Sequence, residues 1–130
     1  MHTRTAAATL AASALLALTA CSSSDEAKPK AEVPAHKITE QDTSGNTRNI
    51  EVQVDSTTDL RAVFDRIVSS LNDEAGYFVY INCSTGGTAG ADNRLANGKY
   101  AKGSVGAATT GLNDGDKEFE PVEGRSCPAK

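Results

Sequence analysis

The clearest hydrophobic pattern along the chain is a helical stripe between residues 60 and 71, followed by a short apolar run. Six apolar residues are spaced three or four positions apart, as on one face of a helix. They are Leu60, Val63, Phe64, Ile67, Val68 and Leu71. Ser56-Thr57-Thr58-Asp59 has the spacing of a capping box, which predicts that the helix starts there. Tyr77–Ile81 is β-branched and aromatic without alternation, which predicts a central strand covered on both faces.

A pattern of period two precedes the helix. Ile50, Val52 and Val54 alternate with polar residues, which predicts a half-buried strand over 48–55. A weaker strand is expected over 36–41, and the turn sequence between the two indicates a hairpin. A strand, a helix and a strand in this order favour a parallel crossover, although an antiparallel arrangement stays open.

The remainder of the chain has weaker patterns. Residues 84–100 are polar and rich in glycine, which predicts a long loop. Residues 100–112 are weakly strand-like, 113–116 form a turn sequence, and 117–122 would be a return strand with Pro121 at a sheet edge. The expected fold class is therefore α+β: one amphipathic helix packed on a small mixed or antiparallel sheet of four to five strands.

The N-terminus has the features of an export signal. Arg4 is followed by an apolar run, Ala6–Ala17, which is too short to span a membrane. The run leads to Leu18-Thr19-Ala20-Cys21, which resembles the lipobox of bacterial lipoproteins. The stretch from Cys83 to Leu112 is also similar to small actinobacterial lipoproteins, a resemblance that implies no activity.

The lipobox resemblance implies how the chain is processed. Residues 1–20 would be a lipoprotein signal peptide removed by cleavage before Cys21. That cysteine would then carry a diacylglycerol and further acyl chains such as palmitate, enough for stable anchoring. Residues 21–35 would form a disordered tether, and residues 36–130 one small domain. The expected location is the outer face of the cytoplasmic membrane.

The charge of the chain narrows the class of partner. Of the 13 Lys and Arg residues, removal of the signal peptide deletes Arg4, so that 12 basic residues face 17 acidic ones and the net charge becomes −5. An acidic domain without a basic patch is a poor nucleic-acid binder. The expected partners are the membrane, through the lipid, and a protein or a cell-wall component.

Three cysteines are an odd number for an exported protein. Acylation of Cys21 would leave Cys83 and Cys127 in an oxidising compartment, where we expect them to form a disulfide. The alternative is a reactive Cys83. His36 is the sole histidine of the mature chain available as a base, and no other pattern supports catalysis. We therefore assign no catalytic residue, metal or cofactor.

The glycine-rich segment does not match known phosphate-binding patterns. For Walker A chemistry, Asn93 stands where a glycine is needed, and Tyr100 stands where a Ser or Thr is needed. The segment instead predicts a recognition loop, with Arg94 and Lys99 suited to a carboxylate or an anionic polymer. Its candidate contact residues are Asp92, Asn93, Arg94 and Lys99. The alternative is a solvated connection whose polar groups satisfy its own backbone.

Three functional hypotheses follow from the sequence. The first is a lipid-anchored binding or interaction module that is not an enzyme. The second is an inhibitor of a secreted hydrolase that presents the loop beside the disulfide. The third is a small cysteine-dependent enzyme that uses Cys83 as its nucleophile.

Overall fold

A computed structural model of the chain describes residues 32–88 and 91–128. The expected signal peptide, Cys21 and most of the expected tether lie outside the described residues. The described part contains five strands and two helices. They are β1 (His36–Gln41), β2 (Thr47–Val54), α1 (Leu60–Ser69), β3 (Ala75–Cys83), β4 (Arg94–Lys102), α2 (Gly103–Thr110) and β5 (Lys117–Pro121).

The five strands form one mixed sheet in the order β1-β2-β3-β4-β5. Strands β2 and β3, which flank α1, are parallel, so the question of their pairing is settled. The other three neighbouring pairs are antiparallel, including the expected β1–β2 hairpin. The α+β class is confirmed. Neither helix of the described residues is long and apolar enough to cross a membrane.

The hydrophobic core lies between α1 and one side of the sheet, which we call the core face. All six residues of the helical stripe belong to this core. Ile50, Val52 and Val54 of β2 pair in register with Val79, Ile81 and Cys83 of β3 and are buried with them. The predicted core side of β2 is therefore confirmed. Alternation identified it because successive side chains of a strand point to opposite faces.

The start of α1 differs from the predicted capping box. The helix begins at Leu60, and Asp59 at its N-cap has the left-handed φ of 49° and caps no backbone group with its side chain. The Ser56 hydroxyl instead accepts a hydrogen bond from the Thr58 backbone N–H at 3.1 Å. The Ser/Thr-rich segment is thus a turn before the helix, a conformation that these side chains stabilise as readily as a cap.

The segment after β3 is where the sequence-based prediction was wrong. Residues 94–102 are strand β4 rather than a loop, and residues 103–110 are helix α2 rather than a strand. Helix α2 packs on the side of the sheet opposite α1, near Gly76 and Ala101. A Cβ at Gly106 would lie 2.5 Å from the carbonyl oxygen of Ala75, so this close approach of helix and sheet requires a glycine.

The C-terminal part closes the other edge of the sheet. The turn at 113–116 leads from α2 into β5, which pairs with β4 and ends at Pro121, as expected of an edge. The ring of Phe119 packs against that of Phe64, with centroids 5.5 Å apart. The predicted disulfide between Cys83 and Cys127 is present, with Cα atoms 5.4 Å apart, and it ties the C-terminal segment to the end of β3.

Candidate functional site

The candidate site lies on the side of the sheet opposite α1, which we call the open face. Helix α2 covers this face at one end only, around Gly76 and Ala101. By register, the remaining open-face positions of the three central strands are mostly polar or aromatic. They are Asn49, Glu51 and Gln53 of β2, Phe78, Tyr80 and Asn82 of β3, and Arg94, Asn97 and Lys99 of β4.

At the centre of the open face, five side chains form what we call the Arg94 cluster: Glu51, Tyr80, Asn82, Arg94 and Asn97. Arg94 donates from Nε to Asn82 Oδ1 at 2.7 Å and from a terminal nitrogen to Asn97 Oδ1 at 2.8 Å. Its other terminal nitrogen lies 3.7 Å from Glu51 Oε1. The guanidinium carbon is 4.3 Å from the centroid of the Tyr80 ring.

These contacts hold the guanidinium in a fixed plane. Asn82 also donates to Glu51 Oε2 at 2.6 Å, which closes the network. The Arg94 side chain is 14% exposed and that of Glu51 is 31% exposed. A planar Arg with its donors fixed loses little conformational entropy when a partner binds, because its rotamer is already set.

A β-bulge brings Arg94 onto the open face. The pairing shifts between Ile81 and Asn82, which face Ala96 and Arg94 respectively, so that Leu95 is the extra residue of β4. Leu95 is 2% exposed and belongs to the core. Bulges commonly redirect a side chain next to a functional site. Here the bulge lets Leu95 and Ala96 both be buried while Arg94 faces the opposite side.

The four residues of the predicted recognition loop do not form one site. Asn93 is 7% exposed and its amide donates to the Cys83 carbonyl at 3.1 Å, a contact that anchors the chain before β4. Asp92 lies in the same turn, and its carbonyl accepts a hydrogen bond from Arg125. Arg94 and Lys99 share the open face but are separated by about 15 Å along β4, at about 3.3 Å per residue.

Lys99 is engaged with β5. Its ammonium donates to Glu118 Oε1 at 2.7 Å, and both side chains are about 40% exposed. This hydrogen bond, helped by the charges of Glu118 and Glu120, raises the pKa of Lys99. Lys99 is therefore fully charged at neutral pH and is paired with β5 rather than with the Arg94 cluster.

Sequence reasoning missed four members of the Arg94 cluster, namely Glu51, Tyr80, Asn82 and Asn97. Only Glu51 carried a signal, as a polar position of the alternating strand β2. The others converge through pairing of β3 with β4 in an antiparallel register that includes a bulge. Local sequence does not reveal such a register, because it depends on how two distant segments meet.

The residues considered for catalysis are arranged differently. Both sulfurs of Cys83 and Cys127 are in the disulfide, so neither is a nucleophile in this oxidised state. His36 Nδ1 lies 2.9 Å from the Pro34 carbonyl oxygen. Across residues 32–88 and 91–128, no group of three or more His, Cys, Asp or Glu side chains is arranged to hold a metal ion.

The turn after β3 contains two glycines in the left-handed region of the backbone. Gly86 and Gly87 have φ values of 70° and 62°, which curl the chain. A Cβ at Gly87 would lie 2.9 Å from that of Asp92, so the turn packs closely on its own far end.

No protein-family model, curated protein or solved structure matches the chain.

Proposed function

We propose that the protein is a small lipid-anchored binding module at the outer face of the cytoplasmic membrane. In this proposal the lipobox cysteine Cys21 carries the lipid, one helix with an amphipathic stripe supports the sheet from behind, and the open face meets the partner. The observation that carries the binding role is the Arg94 cluster, in which a fixed guanidinium and a tyrosine ring lie on a sheet face that the domain covers only in part.

The chemistry of the cluster favours a protein partner. Arg and Tyr are enriched among the residues that contribute most to protein–protein binding, particularly where their side chains are held in place. The cluster also offers carboxylate and amide oxygens from Glu51, Asn82 and Asn97. A partner with both hydrogen-bond donors and an acceptor for Arg94 would complement it.

The size of the open face indicates a weak or transient interaction. Five strands spaced about 4.8 Å apart, each five to nine residues long and about 24 Å on average, form a face of roughly 400–500 Å² before the part under α2 is subtracted. A standard stable interface buries about 800 Å² on each partner. We therefore expect rapid exchange, unless attachment to the same membrane raises the local concentration of the partner.

Site-specific photo-cross-linking in intact cells tests this proposal. A photoreactive residue at Asn49 or at Lys99, which are open-face positions outside the Arg94 cluster, reports on the open face, and one at Arg66 or Ser69 reports on the exposed side of α1. We expect a discrete, protease-sensitive adduct from the open-face positions and none from the helix positions. An adduct that is instead degraded by glycan hydrolases would assign the face to a cell-wall polymer and overturn the protein partner.

The Arg94→Gln variant links the adduct to the cluster. It removes the guanidinium while keeping a polar side chain of similar reach, and we expect loss of most of the adduct. The matched control is Arg61→Gln, since Arg61 lies on the exposed side of α1. Equal adducts from the two variants, with both proteins folded and disulfide-bonded, would contradict a binding role for the Arg94 cluster.

A further inference from the structure

A second polar site lies at one end of the sheet, where the parallel strands β2 and β3 end. It is a cleft of about 260 Å³, and it shares no side chain with the Arg94 cluster. Three separate segments contribute to it: the start of β1, the end of β2 and the residue after β3. The lining residues are Ala35, His36, Lys37, Gln53, Asp55 and Ser84.

The position of the cleft follows from the topology. In sheets with parallel strands, ligands commonly bind in the crevice outside the carboxyl ends of those strands. Asp55 and Ser84 are the first residues after the two parallel strands of this sheet, and β1 runs antiparallel to β2, which places its first residues at the same end. The sheet therefore gathers charged and polar groups from distant parts of the chain.

The residues that line the cleft include both an acidic and a basic side chain, Asp55 and Lys37. Asp55 accepts a hydrogen bond at Oδ1 from the Ser84 hydroxyl, which orients the carboxylate. The Lys37 ammonium makes no ion pair or hydrogen bond to any side chain of residues 32–88 and 91–128, and it does not pair with Asp55. The cleft thus contains the Asp55 carboxylate, oriented by Ser84, and the Lys37 ammonium, which has no partner among the described residues.

The volume limits the ligand to a small molecule. Sites for drug-sized ligands measure about 300–1,000 Å³, and this cleft is slightly smaller. Gln53 adds an amide that both donates and accepts hydrogen bonds. A small ligand that matches these groups carries both a carboxylate and an ammonium.

We propose that this cleft binds a small zwitterion, either a free amino acid or a short peptide with free ends. Its carboxylate binds the Lys37 ammonium, and its ammonium binds the Asp55 carboxylate beside Ser84. Charge-assisted hydrogen bonds of this kind contribute more than neutral ones. The cleft shares Gln53 with the open face but shares no side chain with the Arg94 cluster, so either assignment can fail without the other.

Titration of the full-length chain in nonionic detergent, followed by ¹⁵N–¹H NMR, tests the site. The probes are alanyl-alanine with free ends, its C-terminal amide and its N-acetyl form. We expect saturable shifts at the backbone amides of Asp55 and Ser84 with the free dipeptide. Each blocked form should bind about tenfold more weakly or worse, as expected for loss of one charge-assisted contact.

Two variants test which residue binds the carboxylate of the ligand and which binds its ammonium. Lys37→Gln should bind the free dipeptide and its amide equally, because the carboxylate contact is gone. Asp55→Asn should likewise fail to distinguish the free dipeptide from the N-acetyl form, and its side chain still accepts the Ser84 hydroxyl. Lys117→Gln is the matched control, because it removes the same charge from β5 at the other end of the sheet.

Three results would overturn the proposal. The first is the lack of a saturable shift at Asp55 and Ser84 with any probe. The second is equal affinity for the free and blocked dipeptides. The third is a loss of discrimination in Lys117→Gln as large as that in Lys37→Gln.

Discussion

Gly98 of β4 lies directly beneath the aromatic ring of Phe64, and its replacement by alanine tests the packing of α1 on the sheet. A Cβ added at Gly98 would lie 2.4 Å from Cε2 and 2.6 Å from Cδ2 of that ring. The ring has little room to move, because Phe64 is 0% exposed and also packs against Phe119. The Gly98→Ala variant therefore forces a displacement within the core.

The expected cost is the difference between two opposing effects. An extra methyl group in a tightly packed core costs about 1–3 kcal/mol. Gly98 does not have a positive φ, so alanine is compatible with the backbone and reduces the entropy of the unfolded chain, which stabilises by about 0.4–1 kcal/mol. We expect a net destabilisation of about 1–2 kcal/mol, or a melting temperature lower by roughly 4–16 °C for a domain of this size.

A double-mutant cycle with Phe64→Leu identifies the cause. Leucine vacates the space over Gly98, at the cost of lost burial and a partial cavity. We expect Gly98→Ala to be much less harmful in the Phe64→Leu background, with a coupling energy of about 0.5–3 kcal/mol measured by urea and thermal unfolding. A neutral Gly98→Ala, or two strictly additive substitutions, would refute this packing of the Phe64 ring on β4.

Three other perturbations address the disulfide, the charge pairs and the lipid. Replacing Cys83 and Cys127 together by alanine should lower the free energy of unfolding by about 4 kcal/mol, from chain entropy over a sequence separation of 44; an unchanged urea midpoint would contradict this. Burial raises the pKa of Asp65, but hydrogen bonds and charges from Lys117 and Arg61 outweigh it and leave the pKa below its ordinary value. Asp65→Asn should therefore destabilise at neutral pH, and the difference from wild type should shrink as the pH falls below about 4; a constant difference in urea midpoint between pH 7 and pH 3 would oppose this. Cys21→Ser should leave an uncleaved precursor without lipid label, and normal processing of that variant would exclude the lipobox.

The differences between the predicted and observed elements are concentrated in residues 94–110. Strand β4 carries Ala96 and Gly98 at positions that face the core, which lowers its apparent strand propensity. The Phe64 ring, more than thirty positions away, requires the glycine at position 98. Helix α2 is built of Gly, Ala, Ser, Thr and Val without an apolar stripe, so periodicity gave no signal for it.

The small residues of α2 allow this helix to pack closely against the sheet. Gly106 lies against the backbone of Ala75 and Ala101, and Thr109 and Thr110 lie over Gly76. A larger residue at any of these contacts would hold the helix away from the strands. The helix is thus stabilised by close approach rather than by a hydrophobic stripe, and tertiary packing overrides the weak local preference.

The sequence by itself determined the features that depend on local periodicity and on residue type. These are the α1 stripe, the core side of β2 and the central position of β3. The cysteine count predicted a Cys83–Cys127 disulfide, and the fold brings the two sulfurs together. The tertiary structure alone decided the parallel register of β2 with β3, the bulge at Leu95, the Arg94 cluster and the cleft at the end of the sheet. Those sites join residues up to about fifty positions apart, and which of them meet depends on strand register, which local sequence does not encode.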